Sequence, residues 1–455
     1  MAAEWASAPL DGLVDDILDR RGVTPLKLGS DFTCEGHRVI SAKLIKGGRI
    51  DLSADEPRFV DKATYSKWMR TPLLPDDVIL TSEAPLGEVA YITRSLEWCL
   101  GQRLFAIRTK KKRLHGRFLF YALQSHAVTH DLQCRATGTT AQGVRQVELR
   151  RVAIPLPPVD EQRAIAHILG TLDDKIELNR RMNETLEGIA RAHFKSWFVD
   201  FDPVRAKAEG RDTGLPREVA ELFPDGFEES ELGEIPAGWT HRPFGELLVD
   251  SVGGDWGKES PDDICSHPVA VIRGTDLADV GIGGIGKVPV RYTTPARAKR
   301  RRLQDGDIVI EVSGGSPTQP TGRSLFITNG IIDRFSSDVV CASFCRRFRP
   351  KSFREGLLAS LHLSLLYDAG GTWVYQNQST GIANFQTTHF LETEKVVGPT
   401  TAVLEVFSRL VEPLARRKTT GESLTLTALR DTLLPKLLSG EIRVKQAERL
   451  VEEVM

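Results

Sequence analysis

No apolar run in this 455-residue sequence approaches the roughly 18 residues that a membrane-spanning helix needs. The first residues, MAAEWASAPLDGLVDD, lack both a basic start and an apolar core, so a secretory signal is not expected. Cysteine is scarce: Cys34, Cys99, Cys134, Cys265, Cys341 and Cys345 are scattered, and none forms a CxxC pair. That spacing argues against a zinc ribbon or a disulfide framework and fits reduced thiols in the cytoplasm. An excess of one charge is also missing. The formal net charge is −1, which excludes a polybasic nucleic-acid coat.

What is present is globular composition, 41 % hydrophobic and 27 % charged, with enough apolar material for more than one core. The basic residues are clustered. Lys110 to Arg113, Arg297 to Arg302 and Arg346 to Arg354 form three runs, while acidic residues gather in stretches such as Asp225 to Glu234. Such local patches can bind phosphate by counterion release, although charge runs are commonly solvated faces.

The chain repeats itself with a period of about 235 residues. Trp5, Pro9 and Leu13 match Trp239, Pro243 and Leu247. Val39-Ile40 matches Val271-Ile272, and Arg58-Phe59 matches Arg291-Tyr292. Asp77-Val78-Ile79-Leu80 matches Asp307-Ile308-Val309-Ile310, each reading as a buried strand after an acidic turn. Leu149 to Pro157 matches Leu391 to Pro399. A long helical pattern follows each copy. In the first, Asp160 is the expected N-cap, and Ile165, Leu169, Leu172 and Ile176 precede the polar pair Asn179 and Asn183, then Leu186 and Ala190. In the second, Phe407, Leu410 and Leu414 precede Arg417 and Gly421, then Leu424 and Ala428. Matching polar breaks in an apolar seam are a coiled-coil pattern, in which polar seam residues fix register. Each helix is expected to run about 35 residues, or about 50 Å. Residues 202–235, rich in Glu, Asp, Gly and Pro, read as a linker with at most one short helix near Glu218 to Phe223.

Catalytic motifs are absent or incomplete. Gly281 to Val288 matches GxGxxG but leads into a strand-like Val288-Pro289-Val290-Arg291-Tyr292 and lacks Ser/Thr after Lys287, so a glycine-rich turn is expected. His126 and His130 have helical i, i+4 spacing without the Glu of HExxH. Leu156-Pro157-Pro158-Val159 lacks the amide and the aromatic of an amino-methyltransferase loop, and Asp173-Asp174-Lys175 has no upstream acidic partner. No nucleophile, base and orienting group assemble. No catalytic residue and no metal ligand is assigned, and the chain is expected not to be an enzyme.

Ile154 to Ala166, with its core Pro157-Pro158-Val159-Asp160-Glu161-Gln162-Arg163, resembles the entry to the central conserved region of the specificity (S) subunits of type I restriction–modification systems. Leu172 to Asn179, Phe194 to Pro203, Ser230 to Trp239 and Leu429 to Ile442 continue the resemblance. It covers roughly a quarter of the chain, in the helices and linker. The resemblance implies an α+β protein. Two tandem target-recognition domains, each a mixed or β-rich sheet with helices, would be separated by two long helices pairing as an antiparallel coiled coil. The expected boundaries are 1–158 and 236–399 for the recognition domains, 159–201 and 400–445 for the helices, and 202–235 for the linker. It further implies that each domain reads half of a bipartite double-stranded DNA site. The helices would set the spacing and dock two methyltransferase subunits, which bind S-adenosylmethionine. Restriction subunits using ATP and Mg can join, and the chain itself would carry no cofactor. Loop lengths at the module entries depart from a uniform repeat: the first module carries an insertion-like Asp15 to Thr24.

Base readout needs donors and acceptors at base edges, with Arg and Lys on phosphates. The candidates in polar or Gly-rich segments are Lys43, Lys46, Arg49, Thr139, Thr140, Gln142 and Arg145 in the first module. In the second they are Arg273, Lys287, Arg323, Asn377 and Gln378. Two other classes compete with this reading. One is a coiled-coil adaptor with duplicated protein-binding modules, and the other a self-sufficient DNA modification enzyme.

Overall fold

The computed structural model describes residues 5–52, 54–138, 142–316, 319–379 and 382–453. It divides into two compact units. Unit 1 comprises Met1–Lys175 with Leu426–Met455, and unit 2 comprises Ile176–Thr425. Both long helical segments are therefore shared out between the units.

Unit 1 is organised by a four-stranded antiparallel sheet of β1 (Val14–Asp19), β2 (Val78–Thr81), β3 (Val89–Tyr91) and β4 (Leu104–Thr109) in the order β1-β4-β2-β3. Every residue of β2 is buried, as its continuous apolar run requires. A second small sheet places His37–Ile40 antiparallel to Phe59–Val60 and parallel to Cys99–Leu100. Its helix Lys62–Trp68 opens on Asp61, whose carboxylate accepts the Thr64 amide at 2.7 Å. A ribbon of Ser7–Pro9 with Ala153–Pro155 closes the unit.

Unit 2 repeats the plan. Its sheet holds β5 (Leu248–Gly253), β6 (Ile308–Glu311), β7 (Ser324–Phe326) and β8 (Cys345–Pro350) in the order β5-β8-β6-β7. His267–Ile272 lies antiparallel to Val290–Thr293 and parallel to Asp338–Cys341. The helix Pro295–Arg301 is capped by Thr294, and the closing ribbon is Thr240–Pro243 with Lys395–Gly398. The sequence repeat is thus a repeat of topology in the main sheet, the small sheet and the closing ribbon.

One ion pair fixes the central strand in both copies. Arg108 grips Asp77 with Nε at 2.9 Å and Nη2 at 2.8 Å, and the same carboxylate accepts the Leu74 amide. Arg349 grips Asp307 at the same two distances, and the Gln304 amide donates to it. Both carboxylates are almost fully buried, so only a bidentate, hydrogen-bonded partner makes the charge tolerable.

The first long helix, α1 (Val159–Phe198), is continuous for 40 residues, or about 60 Å. It begins one residue before Asp160, which sits in the first turn instead of capping it. The second segment is broken into α2 (Thr401–Lys418) and α3 (Glu422–Ser439). That interruption corrects the expectation of one long second helix and shifts its phase. Leu410, at 39 % exposure, and Ala428 face outward, while Val411 and Leu426 are buried in their place. Arg417, expected in the seam, is half-exposed beside Glu422.

Within unit 2 the pairing of α1 with α2 is antiparallel: Phe194 packs on Phe407, and Glu187 meets Lys418 at 2.7 Å. Asn179 and Asn183 are buried as a polar seam. Asn183 donates to the Ile282 carbonyl at 3.0 Å, and Asn179 reaches Ser423 at 3.5 Å. Within unit 1, Asp173 of α1 accepts from Arg430 of α3 at 2.8 Å. Burial would raise the Glu187 carboxyl, but Lys418 and Arg191 hold it below the usual carboxylate range. A lowered folded-state value means that this stabilisation is present above the ordinary pKa and lost as pH falls through the lowered one. Glu187→Gln should therefore lower the melting midpoint at neutral pH, with the difference from the unmodified chain vanishing in acid. A pH-independent difference in a melting series would contradict this.

Residues 202–235, read as a linker with at most one short helix, carry more structure than that. They form helices Asp202–Ala208 and Arg217–Ala220 and a hairpin of Phe227–Ser230 with Gly233–Pro236. Phe201, Val204, Phe223 and Ile235 are buried in the unit 2 core beside Trp197 and Trp239. The apolar residues are spaced without period, which is why composition concealed them.

Candidate nucleic-acid interface

In unit 1 the candidates fall on two loop systems. The first is a hairpin, Ile45–Lys46 against Arg49–Ile50, turning through Gly47 and Gly48 at φ values of 59° and 80°. Its turn needs left-handed backbone at both positions, which glycine supplies without steric cost. The register sets Lys46 directly opposite Arg49, and both are exposed. Lys43, 75 % exposed, lies 3.7 Å from Asp55.

The second loop system continues from the central strand β2. Ser82 accepts the Val144 amide through its carbonyl at 2.9 Å, and Glu83 bridges to Gly143. Thr137 and Gly143 exchange both backbone hydrogen bonds, at 2.9 and 3.0 Å, closing a narrow loop. Gln142 is exposed on it, and Arg145 is exposed where the helix Gln146–Leu149 begins. Thr139 and Thr140 lie between these points, outside the described residues. Arg21 fastens the loop through the Val144 carbonyl at 3.2 Å while stacking over Phe105.

Unit 2 builds the equivalent loop as a ribbon. Gln376–Ser379 pairs with Ile382–Phe385, which pairs in turn with Ser313–Gly314, the continuation of β6. Asn377 is exposed opposite Asn384, and Asn384 accepts the Ser313 hydroxyl at 2.5 Å. Gln378 follows Asn377 in the same strand. The two groups of candidates around Gln142 and Asn377 thus sit at corresponding places, each paired to the strand that leaves the centre of its sheet.

The remaining unit 2 candidates divide. Lys287 is exposed. Arg273 is a clamp: Nε donates to Asp276 at 2.8 Å and Nη2 to the Lys287 carbonyl at 2.7 Å. Arg323 is spent on Glu311, with bonds at 2.9 and 2.7 Å to a carboxylate that is 5 % exposed. Hydrogen bonding to Glu311 raises the Arg323 pKa, so it is cationic at any relevant pH. These two arginines first neutralise buried acids, a role that spacing in the sequence does not reveal.

The motifs set aside on sequence grounds have structural work. Gly281 to Lys287 follows the short helix Leu277–Gly281 and folds on Asp279, which accepts the Gly286 amide at 2.7 Å. A Cβ on Gly283 would stand 3.2 Å from the Thr420 carbonyl, so glycine permits the close approach to the break between α2 and α3. Arg334 holds the same place, donating to the Val280 and Gly284 carbonyls at 2.8 and 2.7 Å and to the Thr419 carbonyl. Asp173 accepts from Tyr121 at 2.5 Å as well as from Arg430, and Asp174 from Arg117 at 3.0 Å. These are bonds between separate elements.

Sequence reasoning missed the Asp77–Arg108 and Asp307–Arg349 pairs that anchor the strand feeding each loop. The matching Asp–apolar strands were visible, but each arginine lies about 30 to 40 residues downstream and no local spacing marks it. It also missed Arg103, whose Nε lies 2.9 Å from Glu83 beside the Gly143 loop.

Two copies of one sheet scaffold each hold their own polar loop where the central strand leaves the sheet. Residues 69–188 match the family model described as the type I restriction modification DNA specificity domain. Over 404 residues the chain is 25 % identical to the MjaIX specificity subunit of Methanocaldococcus jannaschii, covering 87 % of this chain and 84 % of that one. Over 390 residues it is 27 % identical to the HindI specificity subunit of Haemophilus influenzae, covering 78 % and 84 %. Its fold is similar to the crystal structure of a type I restriction–modification S subunit from M. genitalium. That likeness has a TM-score of 0.54 and 16 % identity, covering 95 % of this chain and 96 % of the other. Along most of its length the chain is similar to specificity subunits of type I restriction–modification systems. No helix among the described residues is long and apolar enough to cross a membrane.

Proposed function

We propose that the chain gives a type I restriction–modification complex its DNA sequence specificity, each unit reading one half of a bipartite site. The observation that carries this is divergence on a constant scaffold. The backbone bonds Thr81 N to Glu88 O and Glu311 N to Arg323 O are equivalent, both at 2.8 Å. Glutamate in one copy stands where arginine stands in the other. Likewise Glu83 occupies the position of Ser313. The scaffold is kept and the chemistry of the loops is not, as two unlike half-sites require. Contacts from Lys43, Lys46, Arg49, Gln142 and Arg145 in unit 1, with Thr139 and Thr140, would serve one half. Lys287, Asn377 and Gln378 would serve the other, with the clamped Arg273 and Arg323 able to contribute their remaining donors.

In this reading the chain performs no chemistry. Two methyltransferase subunits dock on the helices and supply S-adenosylmethionine, and restriction subunits, where present, bring ATP and Mg. The work is done in the cytoplasm, where the DNA is. Expressed with its methyltransferase, the chain should direct adenine methylation to a single gapped motif with two unlike halves, read by long-read methylation mapping. A palindromic motif, or none from an intact complex, would overturn the proposal. Sequence-independent DNA binding by that complex would favour the adaptor reading. S-adenosylmethionine binding by the isolated chain would favour a self-sufficient enzyme.

The helices are assigned the spacing of the half-sites. Removing whole turns from α1 and from the paired α2–α3 segment should shorten the gap in the methylated motif by one or more base pairs. An unchanged gap in the same mapping would contradict the assignment.

A further inference from the structure

One surface position in each unit is built the same way, faces outward and lies against the reading loop. In unit 1 the strand Cys99–Leu100 leads to β4 through Gly101, Gln102 and Arg103. In unit 2 the strand Asp338–Cys341 leads to β8 through Ala342, Ser343 and Phe344. Two backbone bonds place the turns equivalently, although Arg103 takes a left-handed backbone that Phe344 does not. Gly101 N donates to Ile40 O at 2.9 Å, and Ala342 N to Ile272 O at 2.8 Å. Ser82 N donates to Arg103 O, and Val312 N to Phe344 O, both at 2.8 Å. Arg103 and Phe344 are therefore equivalent residues of the duplication.

Each lies next to the loop that carries the base-reading candidates. Ser82, which receives Arg103's backbone contact, also accepts from Val144 beside Gln142 and Arg145. Val312, which bonds to Phe344, also accepts the Phe385 amide at 2.8 Å from the ribbon of Asn377. Neither side chain serves its own fold well. Phe344 is 64 % exposed, leaving a large apolar ring in water. Arg103 holds a left-handed backbone at φ 65°, uncommon for a residue with a side chain, and its side chain is 53 % exposed. Its partner Glu83 is 38 % exposed, and a surface pair of this kind contributes little to stability. The neighbouring Gln102, by contrast, is tied down by the Gly22 amide and the Val23 carbonyl.

Resting on the DNA-specificity reading above, we infer that this turn is a specificity-determining position in both units. Arg103 contacts one half-site as a cation and hydrogen-bond donor, and Phe344 contacts the other half-site through its ring. Arginine reads guanine edges and phosphates, whereas an exposed phenylalanine contacts thymine methyl groups or wedges into a base step. The position thus gives the two halves different rules from one backbone frame.

The test uses the complete chain assembled with its methyltransferase, on duplexes carrying the mapped motif with either half altered. Phe344→Ala should weaken binding to the intact motif at least tenfold and relax discrimination in one half only, with an unchanged salt slope. Arg103→Ala should weaken binding at least tenfold, relax the other half, and reduce the salt slope by about one. Arg103→Lys should keep the salt slope while losing discrimination. Both side chains are at the surface, so the melting midpoints should match that of the unmodified complex. Affinities within twofold of the unmodified complex for Phe344→Ala and Arg103→Ala, on a motif the unmodified complex does select, would overturn this assignment alone. An unmodified complex that selects no motif would overturn the functional reading and this assignment with it.

Discussion

Arg349→Met should destabilise unit 2 by about 3 kcal/mol, the scale expected when one member of a buried ion pair is removed. The Asp307 side chain is 2 % exposed and would keep only its bond from the Gln304 amide. Methionine fills most of the arginine's apolar stem, so the loss isolates the charge. Asp307→Asn in the same chain should recover most of the stability, because the uncompensated charge is then gone. Arg108→Met should do the same to unit 1 through Asp77, which is 1 % exposed. Chemical denaturation followed separately in each unit is the measurement. A loss below about 1 kcal/mol would mean that the pair accompanies the sheet without holding it. The consequence for function is selective. The strand anchored by each aspartate feeds one loop of candidate contacts, so under the proposed function each substitution should blunt recognition of one half-site first.

Phe407→Ala should cost unit 2 about 3–5 kcal/mol, the range for emptying an aromatic site in a core. Phe407 is 0 % exposed and is surrounded by Phe194, Trp197 and Phe198 of α1, with ring centroids 6.3, 5.8 and 4.8 Å away. These contacts join α2 to α1, so the cavity would loosen the helix pair as well as the core. Phe407→Leu, which keeps much of the volume, should cost far less. Equal losses for alanine and leucine would show that volume is not what matters there. A melting midpoint unchanged by Phe407→Ala would show that the helix pair does not depend on this cluster.

Several elements were legible because local chemistry decides them. The repeat was visible where strands are buried on both faces, since Asp77 to Leu80 and Asp307 to Ile310 must be apolar in either copy. Asn179 and Asn183 were readable as polar breaks in a seam, and both are buried in it. The second helix was less readable. Its residues fit a continuous pattern on paper, yet the chain breaks between Lys418 and Glu422, where Arg334 and Thr328 bond to Thr419. Those partners come from about 85 to 90 residues away, so no window along the helix contains them. The segment 202–235 was misread for a related reason: Phe201, Phe223 and Ile235 are placed by Trp197 and Trp239, not by a period of their own.

The order of residues alone determined that the chain is a duplication with a helical segment after each copy. Hydrophobic periodicity and turn residues are local, and they survive in the order of the residues. Only the tertiary structure decided how the helices are divided between units and which arginines are spent on buried acids. It alone decided that Arg103 and Phe344 occupy one position. Those facts depend on backbone bonds and ion pairs between residues far apart in the chain, and the two residues at that turn share no chemistry by which a reader of the sequence could match them.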